Sequence, residues 1–264
     1  MKTWRRRRPR RLSAEAPAWP VGVDRLVLPT TDSTMAEAVR RAAGLIRPTW
    51  ICALTQTAGR GRRGRAWAMP PGNFAASLVM RPDGPPAQAA LRSFVAALAL
   101  RDALIAVGAQ PEVLALKWPN DVLLHGGKVA GILLESTGAG GRIDHLIIGV
   151  GVNLAAAPDA ALLEPGALSP VSLVAETGIR ITPEDFLIHL AQGYARWEDR
   201  FMTDGFAPIR NAWLQNAARL GKTITARLPR EEVTGRLHDM DMEGQLVLET
   251  VQGRRLIAAA DIFF

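Results

Sequence analysis

The chain has 264 residues, 48% hydrophobic and 22% charged, enough apolar material for a substantial core and too much for global disorder. No apolar run reaches the ~20 residues that cross a bilayer, and the basic N-terminus lacks the apolar segment of a secretory leader, which argues against export. The net charge of +7 comes from Lys2, Arg5, Arg6, Arg7, Arg8, Arg10 and Arg11; the remaining 25 basic and 25 acidic residues balance, so the body is neutral and a basic nucleic-acid-binding fold is disfavoured. The single cysteine, Cys52, excludes an internal disulfide and fits a cytoplasmic protein; its apolar surroundings suit a small buried residue better than a nucleophile.

Residues 1–22 read as a basic, disordered tail followed by a linker containing Pro17 and Pro20. Asp24 to Leu28 is a predicted strand. Thr34 followed by Glu37 fits a capping box for a helix that Gly44 can close, which puts Ser33 and Thr34 at a helix N-terminus. Trp50 to Thr55 and Asn73 to Arg81 are further strands. Ala87 to Val107 is expected to be one long, well-buried helix. Val113 to Lys117, Val122 to His125, Lys128 to Glu135 and Ile143 to Val152 are β-rich, with Gly126-Gly127 as a two-residue hairpin signal. Ala155 to Arg180 reads as irregular. Thr182-Pro183 opens a helix with Phe186, Leu190, Tyr194, Trp197 and Phe201 on one face, a stripe that suits core packing. A second helix is expected from about Ala207 to Leu220. From Lys222 onward, short alternating runs suggest a small β-barrel module. The expected organisation is α+β, a mixed sheet flanked by helices over residues 23–218 and a small C-terminal barrel over 219–264.

Four stretches break these patterns. Thr55 to Trp67 holds Gly59, Gly61 and Gly64 with Arg60, Arg62, Arg63 and Arg65, and no acid. Glycines allow tight turns and close approach of amide groups, and guanidinium forks match carboxylate or phosphate, so the loop reads as an anion site. Lys117-Trp118-Pro119-Asn120-Asp121 places a lysine, an amide and a carboxylate in an apolar strand pattern, as a structural ion pair or as a site. Lys128 opens an uncharged run, and the glycine turn folds it back towards Asp121, to pair with an acid or to meet an anionic ligand. Gly149-Val150-Gly151-Val152-Asn153 puts glycines in a strand, as where a ligand or backbone approaches closely. The chain has no phosphate-loop or dinucleotide fingerprint and no cysteine/histidine metal spacing, and His125, His145, His189 and His238 are scattered.

In order, D-S-T at Asp32 to Thr34, Q-T-A-G-R-G-R-R-G-R-A-W at Gln56 to Trp67, K-W-P-N-D at Lys117 to Asp121, G-K-V-A-G-I-L at Gly127 to Leu133 and G-V-G-V-N at Gly149 to Asn153 resemble the biotin–protein ligase family. The related lipoate ligases share the general fold, but the Gly/Arg loop looks like the biotin side. About thirty residues precede the D-S-T motif, too few for the winged-helix DNA-binding domain of bifunctional members. Met35 stands where many members have a polar residue.

The resemblance implies a class II synthetase-like catalytic fold with an SH3-like terminal module. The implied activity is ATP-dependent formation of biotinyl-5'-AMP and transfer of biotin to a lysine of a biotin carboxyl carrier protein or domain. ATP with magnesium and biotin are then the substrates, without a bound prosthetic group. Lys128, Arg62 and Arg60 are the implied catalytic cations. Ser33, Thr34, Gln56, Gly59, Arg60, Gly61, Arg62, Lys128, Gly131 and Gly149 are the implied biotin site. Arg62, Arg63, Trp67, Asn120, Asp121 and Asn153 are the implied nucleotide site, with Asp121 the one candidate for magnesium. No operator binding is expected, and a sheet edge or the hairpin could pair two copies. The competing readings are a lipoate or other acyl-adenylate ligase and an arginine-rich nucleic-acid-binding module.

Overall fold

The computed structural model describes residues 18–159 and 168–264. Most of the expected basic tail, residues 1–17, and residues 160–167 of the segment read as irregular lie outside the described residues. In chain order the first elements are β1 (Asp24–Thr31), α1 (Thr34–Arg41), β2 (Thr49–Gln56), β3 (Phe74–Met80), α2 (Pro86–Ala90), α3 (Arg92–Ala106), β4 (Leu114–Lys117), β5 (Asp121–Leu124), β6 (Gly127–Thr137) and β7 (His145–Val152). They are followed by α4 (Leu173–Thr177), α5 (Pro183–Asp204), α6 (Phe206–Gln215), β8 (Thr223–Arg227), β9 (Glu232–Met240), β10 (Leu246–Thr250), β11 (Gly253–Ile257) and β12 (Asp261–Phe263). The first seven strands form one mixed sheet in the order β1-β2-β3-β7-β6-β5-β4, parallel only between β1 and β2.

Strand alternation divides this sheet into two faces. Trp50 and Cys52, then Phe74, Ala76 and Leu78, then Ile148, Val150 and Val152 point into the main core, where α3 and α5 pack. Ile51, Val79 and Ile147 point the other way, beneath Met35 and Ala38 of α1 and Ala42 just after it. The aromatic stripe of α5 is core, as its spacing suggests: Phe186 meets Phe74 edge-on and Tyr194 meets Trp50. Cys52 is fully buried, and desolvation pushes its thiol pKa up to about 12, consistent with a packing role.

The last five strands form a separate antiparallel sheet in the order β11-β10-β9-β8-β12. This is the expected C-terminal β module with one correction: its end strands β11 and β12 do not pair, so the sheet is open and SH3-like only loosely. β12 is too short and too apolar to stand out in sequence. The C-terminal sheet abuts the first one: Trp118 Nε1, between β4 and β5, donates at 2.9 Å to Gly244 O in the turn between β9 and β10.

Other boundaries move for local reasons. Ser33, not Thr34, caps α1: its Oγ accepts from Ala36 N at 3.0 Å. The Thr34 hydroxyl is engaged by Ser77, and Glu37 pairs with Arg40 and Arg41, which hold its carboxyl below the usual range. The helix expected over Ala87 to Val107 is split at Leu91, whose amide bonds Gln88 O three residues back instead of continuing the α ladder. α6 stops at Gln215 because Asn216 O and Ala218 N bond to Leu116 on β4. α4 occupies part of the segment read as irregular, with Ser172 as its cap.

The hairpin between β5 and β6 is also shifted by one residue. Leu124 pairs with Gly127, so the two loop residues are His125 (φ 49°) and Gly126 (φ 82°), both left-handed, as a type I′ turn requires. Histidine tolerates a left-handed backbone better than most side chains, but Asn-Gly is the favoured pair for this turn, and His125 is exposed there. His125→Asn is expected to stabilise the protein by about 0.5 kcal/mol, raising Tm by about 1–2 °C in calorimetry. A lower Tm would mean that residue 125 belongs to the strand.

Candidate active site

The register of the first sheet aligns a row of small residues across its strands. Ala53 pairs with Ala75, Ala75 with Gly151, Gly151 with Gly131, Gly131 with Asp121, and Asp121 with Lys117. A neighbouring row reads Ile51, Ser77, Gly149 and Leu133. Both rows lie on the face opposite the main core. The glycines leave the sheet bare where Trp67 and Met35 come down on it. A Cβ on Gly151 would lie 2.4 Å from the Trp67 ring, and one on Gly149 would lie 2.5 Å from Met35 Sδ.

Above these rows lies a cavity of about 590 Å³. Its wall brings together Ser33, Thr34, Gln56, Arg60, Gly61, Arg62, Trp67, Asn120, Asp121, Lys128, Gly131, Gly149 and Asn153. These are all the residues expected at the site except Gly59 and Arg63. Gly59 faces the loop itself: a Cβ there would lie 2.7 Å from Trp67 O and 2.9 Å from Gln56 Nε2. Arg63 turns to Asp261, with Nη1 to Oδ2 at 2.5 Å.

At one end, α1 supplies its N-terminus. Thr34 N donates to Gln56 Oε1 at 2.7 Å, and Ser77 Oγ donates to Thr34 Oγ1 at 2.9 Å. The Thr34 hydroxyl proton and the Gln56 amide N–H groups therefore remain for other acceptors. At the other end the charges gather. Lys128 Nζ is 2.7 Å from Asp121 Oδ1, and Lys117 Nζ is 3.8 Å from Oδ2. The turn does fold Lys128 back onto Asp121. Burial pushes the Lys117 ammonium below its ordinary pKa, with Asp121 opposing that shift. Arg62 is lowered for the same reason, and its Nη1 reaches Asn120 Oδ1 at 3.5 Å. Arg60 pairs with Glu135 at 2.9 Å.

Asn153 is 2% exposed; its Nδ2 donates to Val171 O, and among the described residues its Oδ1 has no partner. A buried acceptor left open costs about 1–3 kcal/mol, so this one is suited to a ligand donor. Asp261, Ile262 and Phe263 of β12 also line the cavity. The sequence reading missed them. The available signal was one acid, Asp261, in the otherwise uncharged run from Leu256 to Phe264.

Two family models match the chain: Biotin/lipoate A/B protein ligase over residues 27–153, and Biotin protein ligase C terminal domain over 220–264. The chain is 55% identical over 238 residues to a biotin–[acetyl-CoA-carboxylase] ligase of Paracoccus denitrificans, covering 90% of this chain and 99% of that one. It is 34% identical to the bifunctional ligase/repressor BirA of Bacillus subtilis, over 89% of this chain and 71% of the relative. Among solved structures, biotin protein ligase from Aquifex aeolicus in complex with biotin and ATP is similar, with a TM-score of 0.74, 25% identity and coverage of 90% and 97%. The chain belongs to the biotin protein ligase family.

The stability of the site depends on its ion pairs. Asp121→Asn leaves two lysines near one another without a counter-ion, and Lys117 and Asp121 side chains are each only 13% exposed. Allowing for solvent around the more open Lys128, the expected loss is about 1–3 kcal/mol, or about 3–8 °C in Tm. An unchanged Tm would show that the lysines are not held by Asp121.

Proposed function

We infer that this protein is an ATP-dependent ligase that activates biotin as biotinyl-5'-AMP and transfers it to a lysine of a biotin carboxyl carrier protein or domain. The observation that supports it best is one cavity with a polar helix N-terminus at one end, partly buried cations at the other, and a glycine-bearing floor between them. The similarity to a biotin–[acetyl-CoA-carboxylase] ligase over nearly the whole chain supports the same substrate and acceptor.

In the first half-reaction a biotin carboxylate oxygen attacks the α-phosphorus of ATP. The new acyl–phosphate bond forms as the bond to the β-phosphate oxygen breaks, and pyrophosphate leaves with that electron pair. In the second, a carrier lysine amine attacks the acyl carbon; AMP leaves and the nitrogen loses a proton. Both reactants of the first step are anions, so cations must offset their repulsion and the charge that builds on the transferring group. Lys128 and Arg62 are assigned that task, with Arg60 at the rim. Thr34, Gln56 and Ser33 are assigned to the polar ring of biotin, the last through backbone and position because its hydroxyl caps α1. Gly149 and Gly131 give the acid room. Trp67, Asn120 and Asn153 border the adenosine, and the open Asn153 Oδ1 suits an exocyclic amine.

Magnesium enters as part of the MgATP substrate. Among the described residues no group of three or more histidine, cysteine, aspartate or glutamate side chains could hold a metal ion, and Asp121 sits between two lysines. The residues present do not fit a resident metal site, and no step depends on one. Specific DNA recognition forms no part of this reading, because the excess basic charge lies before residue 12. No helix among the described residues is long and apolar enough to cross a membrane.

Two experiments test the assignment. Purified protein should catalyse ATP–pyrophosphate exchange with biotin and not with lipoate; exchange with lipoate alone would overturn the substrate, and exchange with neither would overturn the ligase reading. Lys128→Ala should lower the biotin-dependent exchange rate by at least about 10²-fold, the scale of removing one charge-stabilising donor. A near-normal rate would remove Lys128 from the chemistry.

A further inference from the structure

Asp261 stands at the first position of β12, in the C-terminal sheet, yet it lines the cavity of the first sheet. Three arginines of the Gly/Arg loop converge on its carboxylate. Arg63 Nη1 lies 2.5 Å and Arg65 Nη2 3.1 Å from Oδ2, while Arg62 Nη1 is 3.9 Å from Oδ1. The two arginines held tightly are half exposed, and the loosely held Arg62 is the most buried of the three and also reaches Asn120. The loop itself is a small closed turn. Arg60 bridges Ala66, Gly61 N donates to Arg65 O, and Trp67 N donates to Gly59 O. Within it Arg63 has φ 56° and ψ 26°, a left-handed conformation that a non-glycine residue rarely adopts without compensation.

We propose that Asp261 is a positioning residue: it clasps Arg63 and Arg65, and thereby orders the Gly/Arg loop against the C-terminal sheet with Arg62 left to face the substrate anions. The ordering is built into the chain instead of being supplied wholly by the ligand. It also divides the arginines by task. Arg63 and Arg65 fasten the loop, and the Arg63–Asp261 bond offsets the unfavourable backbone at residue 63. Arg62, in loose contact with the same carboxylate, can transfer to a phosphate or carboxylate without unfastening the loop.

The kinetic consequence has a diagnostic sign. Asp261 places negative charge at the wall of a cavity that takes polyanions, so by direct electrostatics its removal would tighten ATP binding. If it positions the loop, removal does the opposite, because ligands then bind only the fraction of molecules with an ordered loop, and KM rises as that fraction falls. A variant that merely unfolds part of the sample lowers kcat and leaves KM alone.

The clasp is tested on the full chain with Asp261→Asn, Asp261→Glu and Arg63→Asn. The last spares the C-terminal sheet and puts at residue 63 a side chain that tolerates the left-handed region. The first readout is the rate of tryptic cleavage after Arg60, Arg62 and Arg65, the loop sites that every variant keeps, followed by mass spectrometry with no substrate and with EDTA present, so that neither ligase activity nor a metal enters. Cleavage is expected to be about tenfold faster in Asp261→Asn and Arg63→Asn than in the native protein, and within about threefold of native in Asp261→Glu. The second, which rests on the ligase reading, is biotin-dependent exchange: Asp261→Asn should raise KM for ATP by about tenfold with kcat largely kept. Native-like cleavage in both Asn variants overturns the clasp, as does a lowered KM in Asp261→Asn. Absence of exchange in the native protein would overturn the ligase reading and leave the cleavage result to decide the clasp.

Discussion

Gly131 and Gly151 face each other across β6 and β7, and the cavity exists because of that register. Strand alternation decides the rest. The residues between and beside them, Ile132, Val150 and Val152, fill the main core, so β6 and β7 cannot slip by one residue without exposing that core and burying bare backbone. Interior glycines weaken a strand by about 0.5–1 kcal/mol each relative to alanine. Here the opposite face is packed by α3 and α5, which keeps the strands in place while one surface stays open. The same register delivers Asp121 and Lys117 to the end of the row, so floor and charge come from one alignment.

Electrostatics follows the same economy. Each cation lining the cavity has a carboxylate of the chain beside it: Arg60 has Glu135, Lys117 and Lys128 share Asp121, and Arg62 and Arg65 share Asp261. These pairs keep cations in a partly buried wall without leaving them uncompensated. They also make the wall responsive, since an incoming carboxylate or phosphate competes with partners already in position. The pairing links the C-terminal sheet to the catalytic sheet through β12, and so ties together two parts of the chain that sequence patterns present as separate modules.

Much of this was legible in the sequence because it rests on local rules. β-rich runs bounded by turn residues located every strand of the first sheet, Thr182-Pro183 marked the start of α5, and the glycine and arginine residues marked the loop. What escaped was decided by single local backbone choices or by distant partners. The split at Leu91 rests on a bond three residues back, the shift of the hairpin on His125 accepting a left-handed backbone, and the early end of α6 on its bonds to Leu116 of β4. Glycine 59 and Arg63 carry the same residue types as their neighbours in the loop, so composition could not separate a residue that shapes the loop from one that faces the cavity. Asp261 had no motif around it; only the approach of β12 to the loop gives it meaning.

In the proposed reaction the glycine rows and the cations above them form one seat for an acyl adenylate. A crystal structure of the protein grown with biotin and ATP would show whether they do. Biotin is expected between α1 and Gly149, adenosine against Trp67 and Asn153, and the bridging phosphate within reach of Arg62 and Lys128. A ligand bound away from the Gly131–Gly151 floor, or a phosphate out of reach of both cations, would contradict that seat.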